Sequence, residues 1–158
     1  MLIVADCSPL RYLVVLDAER ILPAIFGQVW IPGAVLAELT AMGAPQKVRG
    51  LIDSRPGWLL VGEPQENSLD EIDPRLDPGE RSALALAKEL GADLVLIDEA
   101  EGRREAARLG IPMTGTLGVL RLAAERGMID VPNVVDGLRN SGFYLNEGLI
   151  RLAFGPWM

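Results

Sequence analysis

The chain contains no histidine and only one cysteine, Cys7, among its 158 residues. A lone cysteine cannot form an internal disulfide, and without histidine or a second cysteine no ordinary zinc site can be completed. The absence of histidine also excludes the Ser-His-Asp and Cys-His nucleophile systems. Carboxylates, hydroxyls and metal-activated water are the catalytic groups that remain.

Aromatic residues are scarce at 5%, whereas hydrophobic residues make up 49% of the chain. This composition suits a core of Leu, Val, Ile and Ala between helices and a sheet, and the length suits a single domain over residues 1–158. No apolar run approaches the ~18 residues of a membrane span, and no basic, signal-like start is present. We therefore expect a cytoplasmic protein without membrane association.

Basic residues are also few, since 15 Lys and Arg stand against 22 Asp and Glu, for a formal charge of −7. Broad contact with a nucleic-acid backbone normally depends on clustered Lys and Arg, so this charge argues against it. Divalent ions in an acidic pocket would cancel part of the charge and leave an arginine-bearing rim to meet phosphates. The charge lowers the expectation of nucleic-acid binding without excluding it.

Short apolar runs alternate with helical patterns along the whole chain. Strands are predicted over residues 1–6, 28–31, 58–61, 93–97 and 111–114. Helices are predicted over residues 9–16, 19–26, 33–41, 45–54, 77–91, 99–109, 116–127, 132–142 and 147–154. A surface loop is predicted over 62–75, and the segment Phe143, Tyr144 and Leu145 precedes the last helix, which Asn146 caps. Such alternation indicates a mainly parallel sheet of about five strands, flanked by helices through right-handed crossovers.

Four acidic residues, Asp6, Glu38, Glu80 and Asp98, stand where a strand gives way to a helix or in the helix that follows. Asp6 and Asp98 each end an apolar run, at the sheet edge where open α/β sheets bind ligands. Carboxylates from distant parts of a chain repel one another unless a hard cation lies among them, and oxygen-only ligation suits Mg²⁺ or Mn²⁺. We therefore expect the four to converge within bonding reach of a shared ion, as in a metal-dependent phosphoryl-transfer enzyme.

Asp6 and Asp98 also have an ordinary structural explanation, because either residue can cap the helix that follows it. Ser8, with Pro9 after it, fits the N-cap position of the first helix and leaves the Asp6 carboxylate free to face the sheet edge. From the N-cap position, the Ser8 hydroxyl would hydrogen-bond the Asp6 carboxylate or a metal-held water.

Glu38 and Glu80 have similar alternatives. Glu38 is explained equally by a solvated helix face, although its neighbours Leu36 and Leu39 indicate that much of this helix packs inward. Glu80 forms a capping box with Asp77, which accounts for it without any ligand. A side chain in the first helical turn also projects from a strand-to-helix junction, so both roles of Glu80 remain open.

Arg103, Arg104 and Arg108 form the one dense basic cluster in the sequence. Its ordinary interpretation is an exposed face on which Glu99 and Glu101 pair with Arg103 and Arg104. The alternative is that Arg103 and Arg104 grip a substrate phosphate.

Thr114 and Thr116 flank Gly115 between the fifth strand and a helix. Their hydroxyls and the free amides there suit a phosphate oxygen or a metal-held water, whereas the simpler role of Thr116 is a helix cap. Cys7 is expected to be a small buried hydrophobe beside an acid that discourages thiolate formation.

Five motifs in a fixed order resemble the PIN-domain ribonucleases, in particular a DUF3368-like prokaryotic branch related to VapC-type toxins. They are Asp6-Cys7-Ser8-Pro9-Leu10, Ile31-Pro32 with Glu38, Leu76-Asp77-Pro78-Gly79-Glu80, Leu96-Ile97-Asp98 and Thr114-Gly115-Thr116-Leu117-Gly118. The resemblance implies a three-layer α/β/α sandwich in which Asp6, Glu38, Glu80 and Asp98 form the acidic quartet. It also implies that Ser8 is the small hydroxyl near the first acid, and Thr114 or Thr116 the later polar residue. Arg11 departs from the pattern, because relatives are usually apolar there.

The resemblance further implies a Mg²⁺- or Mn²⁺-dependent endoribonuclease that hydrolyses RNA phosphodiester bonds with metal-activated water. In such an enzyme Asp6 and Asp98 anchor the metal, while Glu38 and Glu80 complete the site or orient water. The toxin role, an antitoxin protein that blocks the acidic pocket, and a homodimer are implied as well. Two alternatives remain open: a non-catalytic module whose acidic pocket docks a basic partner peptide, and a structure-specific DNA nuclease.

Overall fold

The structure, a computed structural model, describes residues 1–143 and 146–158. Within these residues the strands are β1 (Leu2–Ala5), β2 (Gln28–Ile31), β3 (Leu59–Val61), β4 (Leu94–Leu96) and β5 (Met113–Thr114). They form one sheet in the order β3-β2-β1-β4-β5, and every pairing is parallel. The predicted parallel sheet of about five strands is confirmed.

The helices of the described part of the chain lie between and after these strands. They are α1 (Cys7–Val15), α2 (Ile21–Phe26), α3 (Gly33–Thr40), α4 (Gln46–Ser54), α5 (Glu66–Asp70), α6 (Pro78–Leu90), α7 (Ala100–Arg108), α8 (Thr116–Glu125), α9 (Val131–Asn140) and α10 (Glu147–Phe154), with a 3-10 turn at Gly155–Trp157. None of these described helices is long and apolar enough to cross a membrane. Of the segment predicted before α10, Tyr144 and Leu145 lie outside the described residues.

Two hydrophobic cores cover the two faces of the sheet. Successive side chains of a strand point to opposite faces, so Ile3 and Ala5 of β1 lie in one core while Val4 lies in the other. The larger core packs the sheet against α1 to α4 and α8 to α10, and the smaller core packs it against α6 and α7. The three-layer α/β/α sandwich is therefore confirmed.

The strand order places a reversal point at the centre of the sheet. From β1 the chain adds β2 and β3 on one side, then crosses over to add β4 and β5 on the other. Ala5 of β1 lies beside Leu96 of β4, and the Asp6 N–H donates to the Leu96 carbonyl at 2.9 Å. The carboxyl ends of β1 and β4 thus meet where open α/β folds form ligand sites.

The segment 62–75 is more ordered than the predicted surface loop, because it contains α5 and contributes to the smaller core. Ile72 is 1% exposed, and Leu76, which directly follows the segment, is 7% exposed. The prolines and acids around Leu69 and Ile72 obscure this apolar contribution in the sequence.

Two helix starts differ from the prediction. The N-cap of α1 is Asp6 rather than Ser8, and that of α8 is Gly115 rather than Thr116. Asp77 and Asn146 do act as predicted: Asp77 Oδ1 accepts from the Glu80 N–H at 2.8 Å, and Asn146 Oδ1 accepts from the Leu149 N–H at 2.9 Å. The hydroxyls of Ser8 and Thr116 are therefore not engaged in capping and bind another residue, described below.

Candidate active site

The four predicted acids lie at the carboxyl edge of the sheet, around the reversal point between β1 and β4. Asp6 follows β1, Asp98 follows β4, Glu38 lies in α3, and Glu80 lies in the first turn of α6. Asp6 and Glu80 are 4% and 6% exposed, whereas Asp98 is half-buried and Glu38 is exposed. The fold thus brings together residues that are as many as 92 positions apart in the sequence, from Asp6 to Asp98.

The carboxylates of Asp6 and Glu38 both lie close to the α-carbon of Gly79, in the first turn of α6. The Glu38 carboxylate lies so close to Gly79 that a Cβ there would collide with it, and Asp6 Oδ1 is 3.4 Å from the same Cβ position. The Gly79 N–H also faces Glu38 and partly lowers the pKa of its carboxyl. Because glycine has no side chain, α6 can begin directly against both carboxylates.

Asp98 is held by three hydrogen-bond donors. The hydroxyls of Ser8 and Thr116 both donate to Asp98 Oδ2 at 2.7 Å, and the Thr116 N–H donates to Oδ1 at 2.7 Å. Ser8 therefore binds Asp98 rather than Asp6, the partner predicted from the sequence. Since a carboxylate offers about four acceptor sites, Oδ1 keeps one position open while the starts of α1 and α8 fix the orientation of the group.

Burial and mutual repulsion disturb the acids of this cluster. Desolvation raises the pKa of Asp6 to about 7, and the charges of Asp77, Glu38 and Asp98 contribute in the same direction. Desolvation likewise raises the pKa of Glu80 to about 7, with the charges of Asp77 and Asp6 adding to the shift. The pKa of Glu38 is raised by desolvation and then by Asp77. Asp77, expected from the sequence to cap the helix, lies three residues before Glu80 and also adds negative charge to the cluster.

The chain also matches a known protein family, in agreement with its sheet order and its acidic residues. The family model described as DUF3368: PIN domain matches residues 2–155. The chain belongs to the PIN-domain family. PIN domains are generally nucleases that act on nucleic acid and use divalent metal ions. A comparison of this PIN domain with curated proteins finds no match.

The donor chemistry of the cluster fits a hard divalent cation. Asp6 Oδ1 is buried and has no hydrogen-bond partner among the described residues, which is unfavourable unless a cation or donor is supplied. The surrounding oxygens are of the type that Mg²⁺ and Mn²⁺ prefer. In the described part of the PIN domain, however, no three acidic or cysteine side chains are already arranged to hold an ion. For three of these side chains to bind one ion, the carboxylates would have to lie closer together than they do in the structure.

Arg103 and Arg104 lie on different sides of α7. Arg103 Nη1 is 3.0 Å from the position that a Cβ on Gly115 would take, and Asp98 Oδ1 is 2.5 Å from that position. Arg104 instead lines a second groove with Arg75 and Arg108, away from the acidic cluster. Within residues 1–143 and 146–158, the ion pairs found do not include those predicted for Arg103 and Arg104.

The two threonines also have different surroundings. Thr116 is fully buried and directed at Asp98, so it positions that carboxylate. Thr114 is half-buried, packs against the α-carbon of Gly118 and lines a groove beside Asp98. Of the two, Thr114 is the one whose surroundings are open to a substrate.

Cys7 is half-buried at the edge of the cluster. Desolvation raises the pKa of its thiol to about 12, and the charges of Glu38 and Asp6 add to the shift. The thiol therefore stays protonated near neutral pH and is not a nucleophile.

The groove beside Asp98 has a volume of about 810 Å³. Its polar end contains Ser8 and Thr114, and its apolar part contains Tyr12, whose ring packs edge-to-face on that of Phe143 with centroids 4.8 Å apart. This groove was not predictable from the sequence, because its walls come from both ends of the chain. One local signal was present, since Tyr12 lies one helical turn after Ser8 on the same face of α1.

Proposed function

We propose that this PIN domain is a Mg²⁺- or Mn²⁺-dependent endoribonuclease whose acidic cluster holds the ion. The observation that supports the proposal is the buried Asp6 Oδ1, which has no partner among the described residues and lies among further carboxylates. Burying such an oxygen is unfavourable unless a bound group repays it. A divalent cation satisfies both its unused acceptor site and the surrounding negative charge.

In this proposal Asp6 and Asp98 anchor the ion, and Glu38 and Glu80 complete the site or orient water. A bound divalent ion lowers the pKa of water and neutralises charge that develops on a phosphate. Ser8 and Thr116 contribute by preventing the Asp98 carboxylate from rotating, since they occupy three of its acceptor sites. Arg103, next to Asp98, supplies the positive charge that meets the substrate phosphate.

An RNA substrate and the role of toxin in a toxin–antitoxin pair are the finer part of the proposal. They are supported by the motif order from Asp6 to Gly118, which resembles VapC-type relatives. A basic segment of an antitoxin would suit the acidic cluster, because its charge compensates the same carboxylates that hold the ion. A homodimer and a cytoplasmic location belong to the same proposal.

The decisive experiment is cleavage of matched RNA and DNA by the purified protein with Mn²⁺, with Mg²⁺ or with EDTA. We expect RNA cleavage only with a metal, its loss in Asp6→Asn, and its retention in Asp53→Asn, which alters an exposed aspartate of α4. Full activity in EDTA or in Asp6→Asn contradicts the proposed site. Equal cleavage of DNA favours the DNA nuclease instead.

A module that docks a basic peptide is the second candidate, because uncompensated carboxylates attract Lys and Arg as well as metal ions. Titration calorimetry separates the two functions. The nuclease binds Mn²⁺ in the acidic cluster and loses that heat in Glu80→Gln, whereas a docking module shows no such metal binding.

A further inference from the structure

The groove beside Asp98 is much larger than an ion requires. Its volume of about 810 Å³ is in the range of sites for small organic ligands. Asp98 belongs both to the acidic cluster and to the wall of this groove, so the groove starts where the proposed chemistry takes place. A ligand that reaches the acidic cluster from this side must lie in the groove.

The groove combines polar and apolar walls. Besides Asp98 it is lined by the rings of Tyr12 and Phe143, and by Leu117, Leu149 and Leu152. Both rings are half-buried, and Leu152 is 72% exposed. Half-buried apolar surface beside polar groups suits a ligand that has a flat apolar part attached to a charged part.

The charged groups of the groove favour one class of ligand. Arg103 lies near Asp98, and Arg121 lies near Leu152, to whose carbonyl its Nη1 donates at 3.3 Å. The ion pair of Arg121 with Glu125 is long at 3.4 Å, and its side chain is about half exposed. The carboxylates of Asp98 and Glu99 line the same groove, and the two guanidinium groups are the ones that bind phosphate oxygens well. Aromatic rings in the same groove as such cations are a common arrangement for stacking unpaired nucleobases.

We propose that this groove is a nucleotide subsite. The base of a nucleotide next to the scissile phosphate packs against Tyr12 and Phe143, and the adjoining phosphate meets Arg121. The subsite rests on the proposed nuclease function and adds to it the requirement that one base leaves its stack to enter the groove.

The test uses fluorescein-labelled single-stranded RNA in which one abasic residue is placed in turn at each position. Equilibrium binding is measured by anisotropy in EDTA, and cleavage is measured separately with Mn²⁺. In the wild type we expect the abasic residue to weaken binding about tenfold at one position, next to the cleaved bond. Tyr12→Leu lowers the affinity for intact RNA to the abasic level, and Tyr12→Phe, which keeps the ring, does not.

Arg121→Gln provides a second variant that does not disturb the core, since the side chain is about half exposed. We expect it to weaken binding of intact and abasic RNA by the same factor and to reduce the salt dependence of binding. Arg126→Gln removes an equal charge at the exposed end of α8 and serves as the control. Circular dichroism verifies that each variant is folded.

The outcomes separate the subsite from the nuclease function. If the protein cleaves RNA with Mn²⁺ but an abasic residue weakens binding at no position, the subsite alone is overturned. If an abasic residue weakens binding at one position but no Mn²⁺-dependent cleavage occurs, the subsite is supported and the nuclease function is contradicted. If there is no penalty and Tyr12→Leu instead dissociates a dimer in sedimentation, the groove is a self-association surface and the subsite is overturned.

Discussion

Asp6 is a buried carboxylate that weakens the fold it belongs to when no cation is bound. Its pKa is raised from 3.8 to about 7, chiefly by desolvation. The folded state therefore binds the proton more tightly than the unfolded state does. Stability falls as the pH rises from about 4 to about 7, and the full penalty is present above that range.

We predict that Asp6→Asn stabilises the metal-free protein at pH 8, because it removes a buried charge from among like charges. In EDTA we expect the Tm of Asp6→Asn to be several degrees above that of the wild type. In separate assays with added metal, Asp6→Asn should lose cleavage activity. At pH 4, where Asp6 is protonated, the two proteins should unfold at nearly the same temperature. Differential scanning calorimetry at both pH values measures this, and a lower Tm of Asp6→Asn at pH 8 contradicts it.

Gly79 allows two carboxylates to approach the start of α6, since a Cβ there would collide with Glu38. We predict that Gly79→Ala displaces Glu38 and Asp6, lowers cleavage at least about tenfold and destabilises the fold by about 1–3 kcal/mol. Gly50 is the matched control, because it lies inside α4 with nothing near its Cβ position. Gly50→Ala should keep full activity and stabilise the protein by up to about 1 kcal/mol. Equal activity of the two variants in cleavage assays would show that Glu38 is not held by this contact.

Helix α7 is tied to the segment before α6 by one buried carboxylate. Glu105 is 6% exposed, accepts the Asp73 N–H at 2.7 Å and pairs with Arg108. The hydrogen bond from Arg108 is the main cause that lowers the pKa of Glu105, and desolvation partly opposes it. Glu105 thereby anchors the chain that leads into the helix bearing Glu80. The sequence does not indicate this role, because Glu105 resembles any charged residue of a surface helix.

We predict that Glu105→Gln lowers the free energy of unfolding at pH 7 by about 1–3 kcal/mol, because it weakens the bonds to Arg108 and to Asp73. A carboxyl with a lowered pKa stabilises the fold above its unfolded pKa of about 4.5, and that stability is lost as the pH falls through the folded value. The difference between Glu105→Gln and wild type should therefore shrink below pH 4. Urea unfolding at pH 7 and pH 3 measures it. Glu101→Gln, on the exposed face of the same helix, is the control and should change stability little at either pH.

At the scale of the whole molecule, a parallel sheet lies between two layers of helices. The direction in which strands are added to this sheet reverses between β1 and β4, and the acidic cluster lies at that edge. The sheet and its two cores form the scaffold, and the cluster gathers negative charge that, together with desolvation, raises the pKa values of Asp6 and Glu80. An ion that binds only the folded state must therefore stabilise the entire domain.

We predict that millimolar Mn²⁺ raises the Tm of the domain by several degrees at pH 8 and much less at pH 5.5. At the lower pH, Asp6 and Glu80, whose pKa values are near 7, hold protons that compete with the ion. Thermal shift at the two pH values checks this prediction, with Asp6→Asn as the variant that should not respond. An equal response in Asp6→Asn would place the stabilising ion elsewhere.

Much of the fold was predictable because its signals are local. The apolar run of β2 gives its exact bounds, Gln28–Ile31, and the Asp77 cap marks the start of α6. The prediction of a surface loop over 62–75 was wrong in part, since Ile72 belongs to the smaller core together with residues of α6 and α7.

The candidate site was less predictable in its contacts than in its residues. Ser8 and Thr116 bind Asp98 across 90 and 18 positions of sequence, and no local pattern indicates such pairs. Arg103 and Arg104 are adjacent in sequence, yet a helix turns about 100° per residue, so they face different grooves.

The order of the amino acids alone was enough to predict the class of sheet and the family, and it singled out the acids that are proposed to hold the ion. Apolar runs, helix caps and motifs are properties of short segments, so they can be recognised before the chain is folded. Three-dimensional packing settled the rest: which side of β1 receives β4, which hydroxyl binds Asp98, and where Tyr12 meets Phe143. Those contacts depend on how distant helices share the two faces of the sheet, and that arrangement minimises the free energy of the whole chain rather than of any segment.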